Sequence, residues 1–370
     1  MRFLFYTHSL VSDWNHGNAH FLRGLMRALQ AKGHETLALQ PIDGWSRTHL
    51  ADEPGPAPEP RFVEAFPTLR WQDYGPAFDH AAACGQADVV IVHEWTEPAI
   101  IAHIGRLRRE GGQFKLFFHD THHRAVSSET EIAALDLDGY DGVLAFGEAL
   151  RERYVAAGWG RQVETFHEAA DVELFRPMPE TEQGHDLVWI GNWGDDERTE
   201  ELHEYLIEPA ARLGLDGVVH GVRYPKPARE ALANAGLRYG GWIANQDVPK
   251  AFARHRFTVH VPRRPYVASL PGIPTIRVFE ALACGIPLIC APWSDREGLF
   301  RPGADYLVAG SGQQMSDHMR ALLHDPDLRK RLAMSGLETI RARHTCNHRA
   351  RQLLALVARH RHEQVPEAAE

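Results

Sequence analysis

Residues Gly272–Pro292 read GIPTIRVFEALACGIPLICAP, and their interpretation decides the fold. The apolar spacing in IRVFEALACG (276–285) predicts a helix, and PLICAP (287–292) predicts a short apolar strand. A helix feeding into a short apolar strand is the repeating unit of parallel sheets covered on both faces. The same rhythm continues on either side. Upstream lie strand DLVWIGN (186–192), a helix over 199–214, strand GVVHG (217–221), helix PAREALANAG (227–236), a short helix at 248–252 and strand FTVHVP (257–262). Downstream lie a possible strand YLVAG (306–310) and helices over 315–325, 326–344 and 348–360.

A second series occupies the first half of the chain. It runs through strand RFLFYT (2–7), loop SLVSDWNHGN (9–18) and a helix with Phe21, Leu22, Leu25, Met26 and Leu29 on one face. Strand HETLALQ (34–40) follows. Between Pro41 and Pro76 the chain is rich in Pro, Asp and Glu and reads as a long surface excursion. Alternation resumes with ADVVIVHE (87–94), a helix over 98–109, FKLFFHD (114–120), DGVLAFG (141–147), a helix over 148–158 and QVETFHEA (162–169). The proline-interrupted segment 172–186 reads as a crossover, and QVPEAAE (364–370) as a frayed tail. Two consecutive α/β series in 370 residues imply two similar α/β domains rather than one extended sheet, and no fixed-period solenoid repeat is present.

Composition narrows the function classes. A hydrophobic fraction of 44% supports packed cores. A net charge of −9 disfavours nucleic-acid binding over the whole surface, although Arg263, Arg264 and Arg277 could form a local basic cleft. Cys84, Cys284, Cys290 and Cys346 show no C-x-x-C spacing and read as reduced thiols. MRFLFYTHSL turns polar too early for a signal core or membrane span, so the expected location is the cytoplasm, with peripheral membrane contact left open. No H-E-x-x-H or H-x-H pattern is present, and Asp136-Leu137-Asp138 precedes its strand and reads as loop chemistry, so no metal is expected.

Three stretches carry a resemblance: Gly272–Pro292, VETFHEAADVELFRP (163–177) and HTCNHRARQLL (344–354). Together they resemble the GT-B class of glycosyltransferases, nearest the group-1, retaining type and its CgeB-like, spore-maturation-protein-like relatives. The resemblance implies two facing Rossmann-like domains: an acceptor-side domain over 1–178, a nucleotide-sugar domain over 179–345, and a helix over 346–362 crossing back to the first. It implies transfer of a hexosyl group from a UDP-, GDP- or ADP-sugar to an unidentified acceptor, with retention at the anomeric carbon. The nucleotide sugar is a donor substrate, and no separate cofactor is implied.

The same resemblance assigns site residues. Glu280 matches the carboxylate that binds the nucleotide ribose. The family's second Glu, eight residues earlier, is Gly272 here, which shifts donor contact toward the backbone of Gly272, Pro274, Thr275 and Ile276 at a helix start. His16, Gly17 and Asn18, with Asn15, match the loop that approaches the diphosphate, although a lone Gly before a helix also serves as a turn. His119 ends a strand where relatives place a His near the transferred sugar, and Glu168 either touches that sugar or organises the domain crossing. Arg263, Arg264 and Arg277 are candidates for the diphosphate, and Arg198 for the diphosphate or an interdomain contact; Arg277 could instead pair with Glu280 one turn away. Asn192 could contact sugar or base, Trp193 could stack on a ring or be buried, and Trp242 falls where relatives contact the base. Two other readings stay open on sequence: a nucleotide-sugar epimerase or hydrolase, and a non-catalytic carbohydrate- or nucleotide-binding protein.

Overall fold

A computed structural model of the protein describes residues 1–53 and 58–362. The tail read as frayed, 364–370, and four residues of the 41–76 excursion lie outside the described residues.

The apolar strands assemble into two wholly parallel sheets. The first contains β1 (Arg2–Tyr6), β2 (Glu35–Pro41), β3 (Trp71–Tyr74), β4 (Val89–His93), β5 (Lys115–Asp120), β6 (Gly142–Ala145) and β7 (Val163–Thr165), in the order β3-β2-β1-β4-β5-β6-β7. The second contains β8 (His185–Ile190), β9 (Gly217–His220), β10 (Leu237–Gly241), β11 (His255–His260), β12 (Leu288–Cys290) and β13 (Leu307–Val308), in the order β10-β9-β8-β11-β12-β13. Every residue of β4 (VVIVH) and β5 (KLFFHD) is buried, as expected for strands covered on both faces. In each sheet the order reverses beside the first strand, between β1 and β4 and between β8 and β11. Such switch points open a crevice at the carboxyl ends of the strands.

Two compact units result. One comprises residues 1–12, 21–168 and 346–370, and the other 13–20 and 169–345. The main change of unit thus falls at 168/169, earlier than the sequence-based boundary at 178. Residues 13–20, the loop after β1, belong with the second unit. The last helix, Cys346–His362, returns to the first unit. There Arg349 Nε donates to the His167 carbonyl at 2.9 Å, and the buried Lys115 ammonium donates to the His360 carbonyl at 2.7 Å.

The excursion proposed for 41–76 is corrected by the structure. It contains helices Trp45–Ala51 and Pro58–Ala65 and the edge strand β3. Arg47 ties them together, pairing with Asp73 on β3 at 2.5 Å and with Glu59. β10, LRYGG, was likewise absent from the sequence reading. Both omitted strands are sheet edges with alternating exposure, which demand no apolar run. The helix expected over 199–214 contains a π-turn at His203–Ile207, ahead of Pro209, which has no N–H to give the preceding turn. The four cysteines are buried and form no disulfide among the described residues.

Candidate functional site

In the second unit the switch point gathers the loop after β8, the end of β11 and the start of helix Ile276–Cys284. That helix is buried at every position except Arg277. A carboxylate on its inner face needs partners, because an isolated buried charge is costly. Glu280 has two. Its side chain is fully buried; Oε1 lies 2.8 Å from His20 Nδ1, and Oε2 meets the Arg277 guanidinium. Burial pushes the Glu280 carboxyl upward, but the Arg277 charge and the His20 hydrogen bond outweigh it and hold it below the usual range.

The geometry also fixes the His20 tautomer. The Asp171 backbone N–H donates to Nε2 at 2.8 Å, so the proton sits on Nδ1 and is donated to Glu280. The ring stacks on Phe175, with centroids 3.9 Å apart and planes 7° off parallel. His20, Glu280 and Arg277 therefore form one array, with the Arg277 side chain 25% exposed at its outer end. Sequence reasoning missed His20. Its only signal was a polar residue beside the apolar stripe of the first helix, and its partners are remote in sequence.

The loop 13–18 is held against the same region. A Cβ on Gly17 would lie 3.3 Å from Ile276 Cγ2 and 3.8 Å from Arg277 Nη2, so glycine permits close approach to the helix start. Asn15 adopts φ 50° and accepts from the Asn192 side-chain amide, whose oxygen accepts from Val222 N–H at 3.0 Å. Asp13 accepts from Trp242 Nε1 and from Asn245 N–H, each at 3.1 Å. His16 is buried and Asn18 half-buried.

Gly272 has φ 98°, and a Cβ there would sit 3.2 Å from Arg296 Cβ. A glutamate at 272 would therefore meet both backbone strain and crowding. Pro274 is buried, and Trp293 Nε1 anchors the loop by donating to the Ile273 carbonyl at 3.2 Å. Thr275 precedes the helix without capping it through its side chain; its hydroxyl instead pairs with His260 Nε2 at 3.0 Å. Burial, then the neighbouring Arg198, lowers His260 to about 3, which keeps it neutral.

The other arginines are engaged. Arg198 is buried, donates to the carbonyls of Asn192 and Trp193 and to that of Val261 at 2.8 Å, and lies over the Trp189 ring. Burial and then Arg263 lower its guanidinium to about 9. It braces the loop after β8 against the end of β11. Arg263 pairs with Glu197 at 2.8 Å, and Arg264 with Glu201 at 2.7 Å. Trp193 is buried in the core beside Tyr224.

In the first unit the strand ends are rich in imidazole. His119, at the end of β5, is 8% exposed, and its Nε2 has no hydrogen-bond partner among the described residues. Burial, reinforced by His93, holds it well below its ordinary value. Beside it, the buried Asp120 accepts from the Tyr154 hydroxyl at 2.6 Å and from His122 N–H at 3.0 Å. His93 bridges Glu94 (2.9 Å) and Thr121 (3.0 Å). Glu168 is also buried. Asp136 and Asp138 pair with Arg109, and Asp138 also with Arg161, on the surface. Among the described residues no group of three His, Cys, Asp or Glu side chains could hold a metal ion. No described helix is long and apolar enough to cross a membrane.

Solved structures share this architecture along nearly the whole chain. Anabaena HepE in complex with UDP-glucose superposes with a TM-score of 0.70 at 13% identity, covering 97% of this chain and 100% of that one. The fold is GT-B. Two further solved structures superpose along nearly their full length. An alpha-glucosyltransferase in complex with UDP and a 13-mer DNA gives a TM-score of 0.69 at 12% identity, covering 97% of this chain and 99% of that one. A DNA-modifying beta-glucosyltransferase gives 0.63 at 13% identity, covering 98% and 100%. The profile of the family described as glycosyl transferase-like matches residues 198–355. No curated protein sequence matches the chain at a significant level.

Proposed function

We propose that the protein is a hexosyltransferase of the group-1, CgeB-like type, transferring a sugar from a nucleoside-diphosphate donor to an acceptor hydroxyl or other nucleophile. The observation that carries this reading is the array His20–Glu280–Arg277 at the switch point of the second GT-B unit. Departure of a nucleoside diphosphate builds negative charge, and a cation already fixed in place stabilises it without reorganisation. Arg277 is that cation. Glu280, with both oxygens engaged, acts through it by orienting the guanidinium rather than by meeting the ribose directly. The backbone of Gly272–Ile276, Gly17 and Asn18 completes the diphosphate surface. Trp242 and Asn192 set the nucleotide side, and Arg198 and Arg263 stiffen the surrounding loops.

The first unit supplies acceptor-side chemistry. Neutral His119, with Nε2 unpartnered, orients a sugar or acceptor hydroxyl, and Glu168 steadies the segment leading out of that unit. The reaction retains anomeric configuration and proceeds without a divalent ion, Arg277 supplying the positive charge. The similar alpha- and beta-glucosyltransferases make product stereochemistry the informative measurement. UDP-, GDP- and ADP-hexoses are incubated with a cell extract as acceptor source, with EDTA present, and the products are followed by mass spectrometry and proton NMR. Donor consumption that depends on acceptor, with an anomeric proton of unchanged configuration, supports the proposal. Consumption yielding only free sugar or an epimerised donor contradicts it.

A further inference from the structure

The second unit contains a recess of about 390 Å³ that shares no residue with the nucleotide surface. It is bounded by β8, β9, β10 and helix Val248–Ala253, and lined by His185, Val218, His220, Arg238, Ile243, Asp247, Lys250, Ala251, Arg254 and His255. His185 and His255 begin β8 and β11, whereas the nucleotide surface lies past the ends of those strands. The cations and imidazoles are the informative part of this lining. Three cationic side chains, Arg238, Lys250 and Arg254, face one carboxylate, Asp247.

Four arginines elsewhere in this unit carry acidic partners: Arg223 with Asp195, Arg256 with Asp186, Arg263 with Glu197 and Arg264 with Glu201, whereas Arg212 and Arg329 bond neutral acceptors. Around the recess, by contrast, Arg238, Lys250 and Arg254 form no side-chain ion pair or hydrogen bond among the described residues. Clustering uncompensated cations raises the local potential, here in a chain of net charge −9. The floor is formed by imidazoles. His255 is 4% exposed and donates Nδ1–H to the Ala251 carbonyl at 2.6 Å, and the half-buried His220 packs against the backbone of Gly240. Burial holds His220 below its ordinary value, against the opposing hydrogen bond to the Gly241 backbone and with a smaller push from Arg238.

We propose that this recess is a second ligand site that binds a small phosphate-bearing anion, held by Arg238, Lys250 and Arg254 over the imidazoles of His220 and His255. Guanidinium forks and an ammonium match phosphate oxygens, and a recess of this size admits a compact di- or bisphosphate rather than a polymer. The site is independent of the nucleotide surface and survives if that assignment fails.

Isothermal titration with inorganic pyrophosphate tests it on the full chain. Because pyrophosphate can also engage Arg277, three proteins are compared: wild type, Arg238→Ala/Arg254→Ala, and Arg277→Ala. The two substituted recess arginines are exposed, so the fold is expected to persist, which circular dichroism checks. The expected result is a binding event that survives Arg277→Ala and weakens about thirtyfold or more in the double variant. Absence of binding to wild type, binding unchanged in the double variant, or complete loss in Arg277→Ala overturns the proposal.

Discussion

The two units share a parallel sheet with a switch point, yet their strand ends carry opposite chemistry. In the second unit, buried charge is concentrated and matched: Glu280 is satisfied by His20 and by Arg277, which is exposed at one end. In the first unit, burial keeps His119 neutral at the end of β5, and its Nε2 has no hydrogen-bond partner among the described residues. A fixed cation suits a leaving group that gains negative charge. A neutral imidazole suits a hydroxyl that must be oriented or relieved of a proton. On the proposed reading, similar topology serves two tasks, set by the residues after each strand.

This contrast can be broken most severely at Glu280. Glu280→Ala leaves a buried His20 N–H and the Arg277 guanidinium without their acceptor, and should cost about 3–5 kcal/mol in urea unfolding. A cost below 1 kcal/mol would mean that the array is not a structural unit. The next effect is pH-dependent. His260 is lowered to about 3 in the folded protein against an ordinary 6.5. Its contribution is therefore present above pH 6.5 and is lost as pH falls toward 3, because the unfolded chain takes up the proton first. Comparing unfolding of wild type and His260→Gln across that range should show a difference of roughly 4–5 kcal/mol; parallel curves would contradict the buried neutral imidazole.

His119→Ala tests the first unit. It should lower turnover about a hundredfold while leaving nucleotide affinity unchanged, a split that stopped-flow and binding measurements resolve. Equal losses in both would assign His119 a purely structural role. The smallest effect belongs to the loop. Gly272→Ala places a side chain at φ 98° beside Arg296 and should destabilise by about 1–2 kcal/mol. A neutral outcome would show that the loop relaxes freely.

Much of the architecture was legible because buried parallel strands carry short apolar runs, such as VVIV in β4 and LFF in β5. WQDY and LRYGG were not legible, since edge strands are half-wet and their pairing is dictated by neighbours rather than composition. The site divides similarly. The Arg277–Glu280 pair could be read as neighbours one helical turn apart. His20 could not, because its contacts to Glu280 and Asp171 span 260 and 151 residues and exist only after folding. Arg198 read as a diphosphate or interdomain candidate; its burial and its bonds to three backbone carbonyls, which no sequence pattern announces, appear only in the fold.

The most direct test concerns Arg277. Titration of wild type and Arg277→Ala with UDP, GDP and ADP should show that at least one nucleoside diphosphate binds wild type and loses tenfold or more in the variant. Undiminished affinity in Arg277→Ala, for whichever nucleotide binds, would contradict the account.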